Sequence, residues 1–131
     1  MEIQDGTPQP GKMFLSIVVP CCNEEEGLRE FHRQMTAAAR ALCGQRFELI
    51  LVDDGSTDNT WKLINELSAQ DLNVVAFRLA RNHGHQLALT AGLSTVRGDV
   101  VLVIDADLQD PPELLTPMYE MMVNDGADVV Y

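Results

Sequence analysis

The chain has 131 residues, of which 46% are hydrophobic and 22% are charged. This length and apolar content suffice for one globular domain with a buried core, and they exclude a disordered tail. The formal net charge is -11, from 20 acidic and 9 basic residues. Because such a surface repels a phosphate backbone, nucleic acid is an unfavourable partner, and a phosphate ligand needs local compensation by a metal ion, a helix N-terminus or an arginine.

The cysteine content and the hydropathy pattern bear on where the protein works. The three cysteines, two of them adjacent at Cys21 and Cys22, fit no disulfide framework of a small secreted domain, and we expect a reducing compartment. No basic segment followed by an apolar stretch opens the chain, and no run reaches the roughly 18 apolar residues of a membrane span. The sequence therefore predicts a soluble chain without a transmembrane segment.

Strand-like and helix-like segments alternate along the chain after a polar start. Residues 1–13 are rich in Pro and Gly and predict a flexible arm. The apolar patterns predict strands at 14–20, 47–52, 74–79, 101–104 and 127–131, with helices whose core positions span 28–42, 61–67, 89–96 and 115–122. This alternation predicts an α/β fold with a three-layer, doubly wound, mainly parallel sheet that ends after the fifth strand.

Residues with helix-capping spacing precede three of the predicted helices. Asn23 with Glu26 has the spacing of a cap and the third helical position, and Ser56 or Thr57 can cap the second helix. Before the fourth helix, Asp110-Pro111-Pro112-Glu113 has capping-box spacing with proline in the first turn. We therefore predict a capping role, rather than a ligand role, for Asp110.

The first four predicted strands each run into a polar loop. These loops are residues 21–25, 53–58, 81–85 and 105–109, and paired carboxylates lie in the second and the fourth. In doubly wound sheets, ligands bind beyond the carboxyl ends of the strands. We therefore expect all four loops to contribute to one binding site.

Asp105 and Asp107 are candidate metal ligands. They lie two residues apart, so in an extended backbone both side chains leave on the same face. Two carboxylates held that close repel each other unless a cation lies between them or one keeps its proton, and hard divalent cations such as Mg²⁺ take oxygen ligands. Taken alone, the pair is compatible either with a metal site or with the ordinary polar end of a strand.

Several common site classes have no matching motif. The sequence contains no G-x-x-x-x-G-K-[ST], no G-x-G-x-x-G after a strand and no G-x-S-x-G, which disfavours P-loop enzymes, dinucleotide oxidoreductases and the usual hydrolase elbow. An EF-hand is disfavoured because the sixth and twelfth positions counted from Asp105 are Asp110 and Thr116. His83 and His85 have no further ligands at zinc-site spacing, so we expect them to be polar loop or helix-start residues.

Four motifs in order resemble the family 2 glycosyltransferases of GT-A fold. The motifs are Ile17-Val18-Val19-Pro20 with Asn23-Glu24, Leu51-Val52-Asp53-Asp54-Gly55-Ser56-Thr57-Asp58, Arg81-Asn82-x-Gly84, and Asp105-Ala106-Asp107-Leu108-Gln109-Asp110-Pro111-Pro112-Glu113. They are most similar to the branch that loads sugars onto polyprenyl phosphates, which includes the dolichol-phosphate mannose synthases. The resemblance covers Leu15 to Tyr131.

The resemblance implies inverting transfer of a sugar from a nucleoside-diphosphate sugar to a polyprenyl phosphate, with residues 14–131 as the donor- and metal-binding part. It implies that Asp53 or, as we favour, Asp54 accepts a hydrogen bond from the base, and that Arg81 lies near the base or the phosphates. The resemblance also implies that Pro20, Asn23 and Glu24 form a wall around the nucleoside. It further implies that Asp105, Asp107 and Gln109 bind Mg²⁺ or Mn²⁺ at the diphosphate.

The resemblance also carries expectations for a longer protein. Relatives of this branch continue past the position of Tyr131 into the acceptor half, the general base and membrane helices. We therefore expect the full-length protein to work at the cytoplasmic face of a membrane, and these 131 residues to lack turnover alone. The resemblance leaves open the sugar, the base, the lipid and whether the protein forms a homo-oligomer.

Two other function classes remain as alternatives. A nucleotidyltransferase that makes sugar nucleotides has a related fold, but we expect a Gly-rich, basic loop after its first strand. Here that loop reads Cys21-Cys22-Asn23-Glu24-Glu25, which counts against this class. A non-catalytic nucleotide-binding or interaction domain is the other alternative.

Overall fold

The computed structural model describes residues 14–80, 84–107, 113, 115–117 and 120. Strands and helices alternate in the order β1 (Leu15–Cys21), α1 (Leu28–Cys43), β2 (Phe47–Asp53), α2 (Thr60–Gln70), β3 (Val74–Arg78), α3 (His85–Leu93) and β4 (Val100–Val103). Residues 115–117 and 120 are helical, where the fourth helix is predicted. The predicted arm, the cap at Asp110 and the fifth strand lie outside the described residues.

The four strands form one parallel sheet in the order β3-β2-β1-β4. β1 pairs with β2 along its whole length, from Leu15 opposite Phe47 to Cys21 opposite Asp53. On its other side β1 pairs with β4, with Leu15 opposite Val100. The direction of strand addition therefore reverses between β1 and β4, and in doubly wound sheets this switch point is where ligands bind. The predicted doubly wound, parallel sheet is confirmed.

Helices cover both faces of the sheet, which gives the predicted three layers. On one face, alternate residues of β1 and β2 pack against α1 and α2; the buried set includes Leu15, Ile17, Val19, Phe47, Leu49, Leu51, Phe31, Met35, Ile64 and Leu67. On the other face, Val18, Ile50 and Val52 pack with Ala88 of α3. Every residue of β1 and β2 is buried. This two-sided burial explains why both strands are nearly continuous apolar runs rather than alternating ones.

Glu48 is a buried carboxylate in β2 that holds the connection between α3 and β4 in place by hydrogen bonds. Its carboxylate accepts hydrogen bonds from Ser16 Oγ (2.6 Å), Arg97 N (2.8 Å) and Arg97 Nε (3.1 Å), and Ser16 Oγ accepts one from Gly98 N (2.8 Å). Burial alone would raise the pKa of Glu48, but these hydrogen bonds outweigh it and lower the pKa. The network thus fixes the start of β4, the strand that leads to Asp105.

Two predicted helix caps and one predicted helical residue are wrong. α1 begins after Gly27 and α2 after Asn59, with no side-chain cap at either start. Asn23, Ser56 and Thr57 do not cap these helices because their polar atoms bond between two loops at the candidate site. α3 ends at Leu93, so Val96 lies beyond it, packed against the smaller core cluster.

Within the described ranges, no helix combines the length and the apolar character that crossing a bilayer requires.

Candidate functional site

A cavity of about 350 Å³ opens at the carboxyl ends of the strands around the switch point. Its described lining residues are Pro20, Cys21, Cys22, Glu24, Asp54, Gly84, Asp105 and Asp107. They come from the end of β1, the segments that follow β1, β2 and β4, and the residue before α3. Described residues of all four loops therefore line one cavity, as expected, and ligand binding in that cavity stays a prediction.

The turn after β4 presents two carboxylates to this cavity. β4 ends at Val103, one residue earlier than predicted, and the backbone turns at residues 106–107. Ala106 is buried between Asp105 and Asp107, which are both exposed and both line the cavity. The two side chains therefore come together at the site, although the backbone that carries them is a turn rather than an extended strand.

Glu24 adds a third carboxylate to the same side of the cavity. Its pKa is raised, first by partial burial and then by the charges of Asp107 and Asp105. All three carboxylates line the same cavity, and a compensating cation would reduce the repulsion between them. Among the described residues, no three acidic, histidine or cysteine side chains are arranged as a ready-made metal site. The remaining predicted ligand, Gln109, lies outside those residues.

Asp53 and Asp54 follow one another at the end of β2 but face different surroundings. Both are buried, and of the two only Asp54 lines the cavity. Asp53 continues the strand face that packs on α1 and α2. Its Oδ1 accepts a hydrogen bond from Ser56 N (3.3 Å), and its Oδ2 lies 3.6 Å from Arg78 Nε. The Arg78 guanidinium in turn lies 5.4 Å from the centre of the Trp61 ring.

The loops after β1 and β2 are joined by hydrogen bonds in both directions. Three consecutive backbone N–H groups of the first loop, those of Asn23, Glu24 and Glu25, donate to Ser56 Oγ (2.9 Å), Thr60 Oγ1 (2.8 Å) and Asp58 Oδ2 (3.4 Å). In return, Asn23 Oδ1 accepts from Thr57 N (2.9 Å), Thr57 Oγ1 (3.3 Å) and Asp58 N (3.4 Å). These bonds explain why the residues with capping spacing are not caps: each loop satisfies the polar groups of the other.

A second cavity, of about 420 Å³, lies beside the first and shares Glu24 and Asp107 with it. Asn23 lines this second cavity, together with Glu25, Glu26, Gly27 and Asp58 among the described residues. Asn23 is therefore separated from the first cavity by its neighbour Glu24, and its amide oxygen is engaged by the second loop.

Among known protein families, the model for glycosyl transferase family 2 matches residues 16–131 of the chain. The chain belongs to glycosyl transferase family 2. Over 117 residues it is 48% identical to the undecaprenyl-phosphate 4-deoxy-4-formamido-L-arabinose transferase of Pseudomonas fluorescens (strain SBW25), covering 88% of this chain and 34% of that relative. The chain thus spans about a third of that relative's length.

Solved structures show the same fold. S. aureus TarS 1-349 in complex with UDP is 29% identical and superposes with a TM-score of 0.63, covering 72% of this chain and 28% of that one. The mannosyltransferase PcManGT from Pyrobaculum calidifontis, in complex with GDP-Man and Mn²⁺, has a TM-score of 0.73 at 21% identity, covering 90% and 34%. The family 2 chain described here therefore has the predicted GT-A, Rossmann-like fold.

The structure brings together most of the residues predicted for the site of this glycosyltransferase family member. Pro20, Glu24, Asp54, Asp105 and Asp107 all line the first cavity. Of the other predicted site residues, Asn23 lies at the neighbouring cavity, Asp53 is turned towards Arg78, and Arg81 and Gln109 lie outside the described residues.

Three residues that line the cavity, Cys21, Cys22 and Gly84, are not among the predicted site residues. Cys22 directly follows the end of β1, so its position relative to the strand was an available signal. Its thiol pKa is raised, first by burial and then by the charges of Asp54 and Asp53, which favours the neutral thiol. Gly84 has a φ of 92°, a conformation that side-chain-bearing residues rarely adopt, and this requirement is not visible in the sequence.

Proposed function

We propose that this family 2 chain binds a nucleoside-diphosphate sugar with Mg²⁺ or Mn²⁺ and presents it for inverting transfer of the sugar to a polyprenyl phosphate. The observation that carries the proposal is the convergence of Asp54, Glu24, Asp105 and Asp107 on one cavity at the switch point of the sheet. The UDP in the TarS complex and the undecaprenyl phosphate in the name of the Pseudomonas relative support the two substrate classes.

The nucleoside end of the cavity is proposed to lie at Asp54. An ionised carboxylate is an acceptor only, so it suits a ring N–H of uracil or guanine, and burial strengthens such a bond. Pro20 and Cys22 flank this position, and Glu24 is proposed to close the wall of the nucleoside subsite. The nucleoside contact of Asn23 and the place of Arg81 near the base or phosphates stay predictions. Asp53 is proposed to hold the neighbouring Asp54 in position, because Asp53 accepts a hydrogen bond from Ser56 N and lies beside the Arg78 guanidinium.

The diphosphate end is proposed to lie at Asp105 and Asp107. Their oxygens are the donors that Mg²⁺ and Mn²⁺ prefer. The pKa of Glu24, raised first by burial and then by the charges of Asp107 and Asp105, supports a site that a cation would stabilise. Asp105 and Asp107 would hold the metal, with Gln109 as the predicted third ligand. A bound divalent metal offsets the charge that develops on the departing diphosphate. Gly84 also brings the N-terminus of α3 to the cavity, where its partial positive charge favours a phosphate.

The acceptor side is proposed to lie in the part of the Pseudomonas relative that this chain does not span, since the match covers 34% of it. We assign the general base, the polyprenyl phosphate site and contact with the cytoplasmic face of a membrane to that part. The nucleotidyltransferase alternative is disfavoured by membership of glycosyl transferase family 2, whose members are sugar-transferring enzymes.

Calorimetric titration of the chain with nucleoside diphosphates tests this proposal. We expect UDP or GDP to bind in the presence of MnCl₂ with a Kd of about 10–100 μM, which corresponds to about 5.5–7 kcal/mol. The matching monophosphate should bind about tenfold more weakly, because it lacks the second phosphate for the metal to bridge. Failure of both diphosphates to bind, or equal binding of the monophosphate with and without Mn²⁺, would contradict the proposal.

A further inference from the structure

We propose that Asn23 and Thr60 are positioning residues that lock the loop after β1 to the loop after β2, and so hold Glu24 and Asp54 facing one donor cavity. Neither loop is regular structure, and the two cavity residues come from different strands. Their relative position therefore depends on bonds between the loops. The inference rests on the proposed function, because the role it assigns is in donor and metal binding.

Thr60 fixes the backbone of Glu24. Its side chain is fully buried at the start of α2. The Thr60 hydroxyl donates to Asp58 Oδ1 (2.5 Å) and accepts from Glu24 N (2.8 Å). Because the hydroxyl proton is committed to Asp58, its lone pairs are directed to the Glu24 amide. Thr60 is not among the described lining residues of either cavity, so any effect of Thr60 on ligand binding must act through its neighbours.

Asn23 gives the first loop the shape that this lock requires. Its φ is 54°, the one positive φ among the described non-glycine residues, and asparagine tolerates this left-handed conformation better than most residues. Successive N–H groups around such a residue can form a concave nest that binds anionic or polar oxygens. Here the N–H groups of residues 23–25 donate to side-chain oxygens of Ser56, Thr60 and Asp58, in the second loop and at the first residue of α2. Side chains of the protein itself thus occupy the nest, and we call these hydrogen bonds between the two segments the loop joint.

Loss of this joint has a specific consequence at the cavity. Without the Thr60 hydroxyl, the Glu24 amide has no acceptor in the second loop, and the first loop can move away from it. Glu24 lines the cavity with Asp105 and Asp107 and is also proposed to wall the nucleoside, whereas Asp54 remains held to β1 by its own N–H, which donates to Cys21 O (2.8 Å). We therefore expect more damage at the metal end of the cavity than at the nucleoside end, where Asp54 keeps its position.

Thr60→Val and Thr60→Ser provide the sharpest test, because valine keeps the shape without the hydroxyl and serine keeps the hydroxyl. In calorimetric titrations with UDP or GDP, we expect Thr60→Val to weaken binding in the presence of Mn²⁺ about tenfold and binding without Mn²⁺ less than about twofold. Thr60→Ser should stay within about twofold of wild type in both conditions. Asn23→Ala should weaken binding in the presence of Mn²⁺ to a similar extent, and it serves as the second variant where Thr60→Val does not fold.

Asn73→Ala is the matched control at the opposite end of the sheet. The Asn73 side chain donates to Phe47 O (2.8 Å) and Gln45 O (3.3 Å), so this change removes comparable amide bonds away from the cavity. It should lower the Tm and leave the Kd unchanged. Unchanged Mn²⁺-dependent binding in Thr60→Val and Asn23→Ala, no rescue by Thr60→Ser, or an equal loss in Asn73→Ala would each overturn the inference.

Amide hydrogen exchange separates failure of this inference from failure of the proposed function. If wild type binds neither diphosphate, the proposed function fails, but the loop joint still predicts protection of the Glu24 amide. Thr60→Val should speed exchange at Glu24 by about tenfold or more relative to wild type, with little change at Asp54. Unchanged exchange at Glu24 would show that the loops are held by other means.

Discussion

Three carboxylates line one cavity at the switch point of the sheet, and their mutual repulsion lowers the stability of the folded state. The pKa of Glu24 is raised by burial and then by Asp107 and Asp105. A carboxyl group whose folded-state pKa lies above its unfolded-state value favours the folded state at low pH, and this contribution is lost as the pH rises through that interval. At neutral pH, the repulsion at this corner therefore lowers the stability of the folded state.

Glu24→Gln tests this cost directly. At pH 7 without divalent cations we expect the variant to raise the Tm by about 1–3 °C, because it removes the group that both neighbours repel. The gain should shrink towards pH 4, where the Glu24 side chain of the wild type becomes protonated. Glu26→Gln, an exposed change of the same charge in the same loop, is the control for scanning calorimetry. A Tm gain that does not vary with pH would contradict the electrostatic explanation.

At the scale of single residues, the sequence located most of the residues that line the cavity but not the different surroundings of each. The pairs Asp53–Asp54 and Asp105–Asp107 follow from their places after apolar strands, whereas Glu24 and the preference for Asp54 come from the family resemblance. Asp53 and Asp54 differ only in which face of β2 they continue, and that distinction requires knowing that α1 and α2 cover the face of Leu49. The roles of Asn23 and Thr60 depend on contacts across more than 30 positions of the chain. The spacing rules for helix caps consider only neighbouring residues, and they predict Asn23 to be the cap of the first helix.

At the scale of secondary-structure elements, the helix α3 packs closely on the sheet. Gly92 of α3 faces β1 and β2, and a Cβ at this position would lie 2.5 Å from Val18 Cγ1 and 3.1 Å from Val52 Cγ2. Because α3 begins at the cavity with Gly84 before its first residue, its depth on the sheet also sets the position of its N-terminus. A glycine inside the helix, unfavourable by propensity, is thus explained by close approach.

Gly92→Ala should therefore destabilise the fold despite the better helix propensity of alanine. Val18 is β-branched and cannot rotate away easily, so we expect a net loss of about 1–2 kcal/mol in the free energy of unfolding. Gly27→Ala is the matched control, since nothing lies within 4 Å of a Cβ there, and its effect should stay within about 0.5 kcal/mol. Urea denaturation measures both. An unchanged or increased stability of Gly92→Ala would show that α3 can move away from the sheet.

For the whole molecule, the alternation of strands and helices was sufficient to predict a parallel, doubly wound sheet, because short connections and buried strands leave few other arrangements. Alternation does not specify the strand order, since β4 could in principle add beside β3. The observed order depends on long-range packing, including the buried Glu48 network that fixes the start of β4 beside β1. That order places the turn with Asp105 next to the loop with Glu24.

The net charge of -11 bears on how a phosphate ligand could bind to this chain. A surface that is acidic overall repels a nucleoside diphosphate, and the residues at the cavity add to that repulsion. On the proposed function, a divalent cation held by Asp105 and Asp107 would offset this repulsion locally. The acidity that disfavours nucleic acid is thus compatible with a phosphate ligand that arrives with its metal.

The dependence of diphosphate binding on Mn²⁺ and on Asp107 tests the central claim most directly. Calorimetry compares wild type with Asp107→Ala and with Glu66→Ala, which removes the same charge from α2 at a pair with Arg29. We predict that Asp107→Ala weakens binding of UDP or GDP in the presence of Mn²⁺ by about tenfold or more and leaves binding without Mn²⁺ nearly unchanged. Glu66→Ala should match wild type in both conditions. Full Mn²⁺-dependent binding by Asp107→Ala would contradict the assignment of the metal and diphosphate end of the cavity.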